Sequence, residues 1–128
     1  MERDRVSSGG PWEARYGYSR VAVAGNAAFV SGTTDAGPDG RSAHPGDPAA
    51  QALAIFEIAR RALGEAGFAL TDVVRTRMLV TDRDHIAPVA AVHGEVFGAV
   101  RPAATAVVVA GLIDPTLLVE IEFDAVRR

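Results

Sequence analysis

The segment Ala103–Ala110, AATAVVVA, constrains the fold more than any other, because every side chain in it except Thr105 is a small or apolar group and their character does not alternate. A run this short reads as a strand. A strand apolar on both sides must be covered on both sides of its sheet. Each cover has to come from elsewhere in the chain or from a second copy of it.

The run LLVEIEFDAV sets Leu117, Val119, Ile121 and Phe123 against Leu118, Glu120, Glu122 and Asp124. Its period of two sends the first set to a core and the carboxylates to the opposite face. Val73–Thr81 alternates as well, with Val74, Thr76, Met78 and Val80 opposing Val73, Arg75, Arg77 and Leu79. Upstream, VAVA and AAFVSGT flank Gly25 and Asn26, a pair able to take the positive φ angles of a tight hairpin turn.

Two stretches carry helical spacing. Asp47 is placed to cap a helix with Pro48 at its first position, and Leu53, Phe56, Ala59, Leu63 and Ala66 form its stripe before Gly67 ends it. Asp84 is placed to cap a second helix reaching about Gly98, with Ile86, Val89, Ala90, His93 and Phe97 along one side. Residues Asp35–Pro48 are rich in Gly, Pro, Asp and Ser and read as a surface loop. Residues 1–17 read as an irregular arm anchored by Trp12.

These elements give an α+β fold: an arm (residues 1–17) and one ββαβαββ domain (residues 18–128), with two helices on one face of a mixed sheet. Two helices cover one face only, so self-association is the simplest cover for the other. The 128 residues suffice for one core and not two. With 13 basic and 16 acidic side chains the net charge is -3, which provides no positive field to gather nucleic acid. The absence of cysteine excludes disulfides, thiolate nucleophiles and Cys-ligated zinc. No apolar run has the length of a membrane span, so a soluble cytoplasmic protein is expected.

The strand order, the hairpin ending in VSGTT, the segments QALAIFEIARRALGEAG and DVVRTRMLVTD, and above all RPAATAVVVAGL followed by LVEIE resemble the Rid (reactive intermediate deaminase) family, also labelled endoribonuclease L-PSP-like. The resemblance runs from about Gly17 to the C-terminus. It implies a chorismate-mutase-like homotrimer without cofactor, whose intersubunit clefts bind small carboxylates, oxo acids or imino acids. It also implies hydrolysis of reactive imines and enamines to a carbonyl compound and ammonia. Tyr18, Ser31, Gly32 and Glu120 match cleft positions of the family, and Thr105 follows in the same strand. His93 and Ala90 fall where the family has a Tyr and an Asn. The family's carboxylate-binding arginine is replaced by Ala104, which implies a ligand without a carboxylate or a weak activity. Arg101 lies an odd number of residues away and would point to the other face.

On this reading Glu120 and His93 are the catalytic candidates, with Tyr18, Ser31, Gly32, Ala104 and Thr105 binding substrate. The alternative is a non-catalytic trimer that binds a metabolite in the same cleft. Arg75 and Arg77 are read as ion-pairing residues facing Glu120 or Glu122. No metal site is expected, since Asp82, Asp84 and His85 lack a completing set of ligands. Ser31 lacks the Gly-x-Ser-x-Gly elbow of a serine hydrolase. An acidic chain with few aromatics offers RNA neither a basic track nor a stacking platform.

Overall fold

The computed structural model describes residues Asp4–Arg128, so the first three residues of the expected arm lie outside it. In chain order the elements are β1 (Asp4–Val6), α1 (Pro11–Tyr16), β2 (Val21–Ala24), β3 (Ala27–Thr33), α2 (Pro48–Glu65), β4 (Val73–Val80), α3 (Ile86–Phe97), β5 (Ala103–Val108) and β6 (Val119–Val126). The strands form one six-stranded sheet in the order β1-β2-β3-β6-β4-β5. Only the β4–β5 pair is parallel, and α3 makes the crossover that such a pair requires.

The expected ββαβαββ order is present, preceded by a further strand and a short helix. The stretch read as irregular contains β1, whose Arg5 and Val6 pair with Ala22 and Val21. Three residues are too few for an alternation to show in sequence. Helix α1 ends at Gly17, which takes the left-handed conformation at φ 75° and donates its N–H to the Glu13 carbonyl. At the hairpin only Gly25 takes a positive φ, 61°, which is the pattern of a type II′ turn.

Asp47 caps α2 by accepting a hydrogen bond from the Ala50 N–H at 3.0 Å. The buried face of α2 comprises Gln51, Ala52, Ile55, Phe56, Ala59, Ala62 and Leu63, which leaves Leu53 on the outward flank and exposed, contrary to the stripe expected from sequence. The α3 entry also differs. Asp82, not Asp84, accepts from the Asp84 N–H at 2.7 Å, and one tight turn, Arg83–His85, precedes the α-helix. Phe56, Phe97 and Phe123 meet edge to face or tilted at 5.6–6.5 Å and join both helices to the sheet.

In β6 the alternation is strict, with Val119, Ile121, Phe123 and Ala125 buried under the helices. In β4 Thr76, Met78 and Val80 face the helices as expected, yet Val73 is buried and Val74 exposed. The cause is a bulge: Val73 pairs with Ala125 and Arg75 with Asp124, so Val74 is an extra residue that reverses the facing of what precedes it. Every residue of β5 is exposed, including Val107 at 44% and Val108 at 48%. No helix of the described residues is long and apolar enough to cross a membrane.

Candidate functional site

Residues paired across a ladder share a face of the sheet. Thr76 pairs with Ala104, and Thr76 is fully buried toward the helices, so Ala104 belongs to the helix-covered side. Leu79 pairs with Glu120, and Arg77 with both Thr105 and Glu122, which puts Glu120, Glu122 and Thr105 on the open side.

On the open face Arg77 approaches Glu122 at 3.6 Å and Asp124 at 3.4 Å, and Arg75 approaches Asp124 at 3.9 Å. The two arginines are therefore ion-pairing residues, and their partners are Glu122 and Asp124. Glu120 lies outside this ladder. Burial, and after it the like charge of Glu122, push the Glu120 carboxyl above the ordinary glutamate range, while Arg20 pulls in the opposite direction.

Glu120 packs against the end of β3. A Cβ added to Gly32 would collide with its carboxylate, so the absence of a side chain at 32 is what admits the acid. The segment before β2 is tied to the same place: the Ser31 N–H donates to the Arg20 carbonyl at 3.0 Å, and Ser31 Oγ donates to the Ser19 carbonyl at 2.6 Å. Arg20 Nη1 donates to the Gly32 carbonyl at 3.3 Å and to Thr33 Oγ1 at 2.8 Å. Its Nε is buried with no hydrogen-bond partner among the described residues. Tyr18, exposed, lines a neighbouring hollow of about 390 Å³ with Arg5, Ser7, Glu13 and Ser19. Glu13 is buried there; although burial pushes the other way, hydrogen bonds from Ser8 and Ser7 and the charge of Arg20 hold its carboxyl below the usual range.

His93 is elsewhere. Its Nε2 hydrogen-bonds Thr76 Oγ1 at 2.8 Å, and its ring lies 4.9 Å from that of Phe97 and 6.0 Å from that of Phe56. Burial lowers its pKa. Thr76 and Leu79 are three residues apart on β4, an odd offset, so the two catalytic candidates fall on opposite faces of one subunit's sheet. Ala104 is separated from Glu120 by about 10 Å along the strands and about 10 Å across them. One chain thus brings Ser31, Gly32 and Glu120 together, with Tyr18 in the adjoining hollow, and His93 with Ala104 as a separate group.

Sequence reasoning missed two features. Arg20 supplies a guanidinium beside Gly32 and Glu120; its only signal is a charge two residues after Tyr18, at the entrance to an apolar strand. The loop after β3 is also built, not merely surface. Buried Asp35 accepts from Ser42 Oγ at 2.8 Å and from the His44 N–H at 3.1 Å, with His44 Nδ1 at 3.2 Å. Gln51, fully buried on α2, donates to the carbonyls of His44 and Thr116 and accepts from the Leu118 N–H.

Residues 11–127 match the family described as endoribonuclease L-PSP. The protein SCO2049 of Streptomyces coelicolor is 38% identical over 123 residues, covering 96% of this chain and 91% of its own length. The RutC family protein PH0854 of Pyrococcus horikoshii is 32% identical over 111 residues, 87% of each chain. Among solved structures, Rv2704 from Mycobacterium tuberculosis, a member of the YjgF/YER057c/UK114 family, matches with a TM-score of 0.88 at 44% identity, over 98% of this chain and 100% of that one.

Proposed function

Since the chain belongs to the endoribonuclease L-PSP family, the group of the YjgF/YER057c/UK114 proteins, we propose that it is a homotrimer whose intersubunit clefts hydrolyse a small imine or enamine. The observation that carries this reading is the placement of Glu120: a carboxylate of raised pKa, half-buried against a strand backbone without a side chain, beside the guanidinium of Arg20.

A carboxylate of raised pKa is a better base than an ordinary glutamate near neutral pH. Glu120 takes a proton from water as the oxygen bonds to the imine carbon and the C=N π bond breaks, and it passes that proton to the nitrogen, giving the carbinolamine. Glu120 then takes the hydroxyl proton of the carbinolamine and gives it to the amino nitrogen as the C–N bond breaks, releasing ammonia and leaving the carbonyl product. Arg20 supplies positive charge beside this centre, while Ser31 and Tyr18 border it.

Two features support assembly. The apolar side chains of β5 stand in water in a single subunit, at a cost that a second copy removes. A cleft using both Glu120 and the His93–Ala104 group needs two subunits, because one chain holds them on opposite faces. Ala104 favours a second reading, a trimer that binds a metabolite without turning it over.

The test is ammonia release from freshly generated 2-iminopropanoate and from an uncharged imine, by the native chain, Glu120→Ala and Ala104→Arg. Turnover by the native chain that Glu120→Ala abolishes supports the enzyme. Turnover of the acid imine by Ala104→Arg alone means that the scaffold is competent and the native ligand lacks a carboxylate. Inert proteins that still bind 2-oxopropanoate support the binding trimer.

A further inference from the structure

Beyond that reading, the opposite end of the sheet carries a second candidate site. Val126 and Glu120 are six residues apart on β6, about 20 Å along the strand. Around Val126 a cleft of about 530 Å³ opens, within the range of small-molecule pockets. Arg101, Arg127 and Arg128 line it, with Val74 and Val126 among its apolar walls. Among the described side chains that line it the one carboxylate is Asp72, which accepts from the Ala69 N–H at 2.8 Å. Arg127 is held in place: its guanidinium stacks 4.5 Å from the Phe68 ring and donates to the Gly67 carbonyl at 2.9 Å.

Arg101 has φ 56° and is the only non-glycine residue with a positive φ among the described residues. It closes the exit of α3, donating its N–H to the Phe97 carbonyl at 2.8 Å. This is the left-handed exit position that glycine normally fills. Pro102 makes the choice less favourable still, because a residue before proline is driven toward extended backbone. A side chain kept in such a conformation calls for a reason outside the backbone. Arg101 is here one of three arginines among the cleft's lining residues, and the Arg127 guanidinium is turned to Gly67 and Phe68, so the positive charge an anion would meet comes foremost from Arg101 and Arg128.

We propose that this cleft binds a small organic oxyanion, a carboxylate or a phosphate ester, with its charged group among the arginines and its apolar body against Val74 and Val126. The experiment titrates the isotopically labelled native protein with benzoate, phenyl phosphate and benzyl alcohol, following the Arg101 Nε–H and the Val74 and Val126 amides by NMR. Saturable shifts at these positions are expected with at least one anion, at least tenfold tighter than with the alcohol, and the tighter anion identifies the charged group. Arg101→Gly relieves the backbone, so its melting temperature should hold or rise by about 2–4 °C while anion affinity falls at least tenfold. Equal binding of the alcohol, anion-induced shifts confined to other residues, or unchanged affinity in Arg101→Gly would each overturn the proposal. Pro102 and Ala103 also line this cleft and adjoin Ala104, so Glu120→Ala is titrated beside the native chain: unchanged anion affinity in that variant separates this site from the cleft chemistry, and its loss would overturn the proposal.

Discussion

Glu120 and the backbone of Gly32 are in such close contact that the carboxylate of one occupies the space a side chain on the other would need. Gly32→Ala should therefore push the Glu120 carboxylate aside, and because the end of a flexible, half-exposed side chain is what must move, the cost should stay within about 1 kcal/mol. In urea denaturation Glu120→Ala should recover most of that loss when combined with Gly32→Ala, a positive coupling that two independent sites would not show.

Glu120 also gives the stability curve a defined sign. Its folded pKa is raised, so the folded protein holds this proton more tightly than the unfolded chain, and stability falls as pH rises through the glutamate range and above. Glu120→Gln should remove that slope and leave the protein at least as stable as the native chain at pH 7. A steeper loss of stability with rising pH in the variant, measured by denaturant midpoints from pH 4 to 8, would contradict the assignment.

His93 has the opposite sign. Burial lowers its folded pKa, so the unfolded chain binds the proton more readily, and the stability present above the ordinary histidine range is lost as pH falls through it. His93→Ala should flatten this part of the curve. It should also cost about 1–3 kcal/mol at pH 8, because the fully buried Thr76 hydroxyl loses its partner.

Gln51 fastens two loops to α2 through three hydrogen bonds. Gln51→Leu keeps the bulk and leaves three backbone groups without their partner, which should cost about 2–4 kcal/mol. Hydrogen exchange should quicken at Leu118, whose N–H donates to Gln51, before it does so in the sheet. Uniform quickening throughout the protein would mean that Gln51 acts on the whole core.

The legible parts of the fold were those in which one physical signal repeats. The strict alternation of β6 and the cap and spacing of α2 located those elements to within a few residues. The bulge at Val74 was not legible, because a single extra residue leaves no compositional trace yet reverses the facing of Val73. Leu53 and Gln51 misled in complementary ways: the apolar residue faces outward, while the polar one is buried because three backbone groups of distant loops require it. For the site, sequence named Glu120, Gly32 and Ser31 as neighbours of one cleft but not Arg20, whose place depends on how the segment before β2 crosses the end of β3. The opposite placement of His93 and Glu120 was legible, from the helix stripe of one and the strand alternation of the other; what sequence did not show is that Thr76 of β4 is the residue His93 meets.

The sheet order has a consequence for how the protein comes into being. The strand that joins β3 to β4 is β6, the last in the chain. A nascent chain that has emerged as far as β5 holds the β1–β3 meander and the β4–β5 pair as two pieces with unpaired edges, and nothing but residues 119–126 can join them. Folding is thereby deferred until synthesis has passed that strand, with long-range pairing as the slow step and two open edges as the window for aggregation. Ribosome-stalled chains ending before and after β6 should differ sharply in protease resistance, and a chaperone that binds exposed strands should be needed only for the shorter ones.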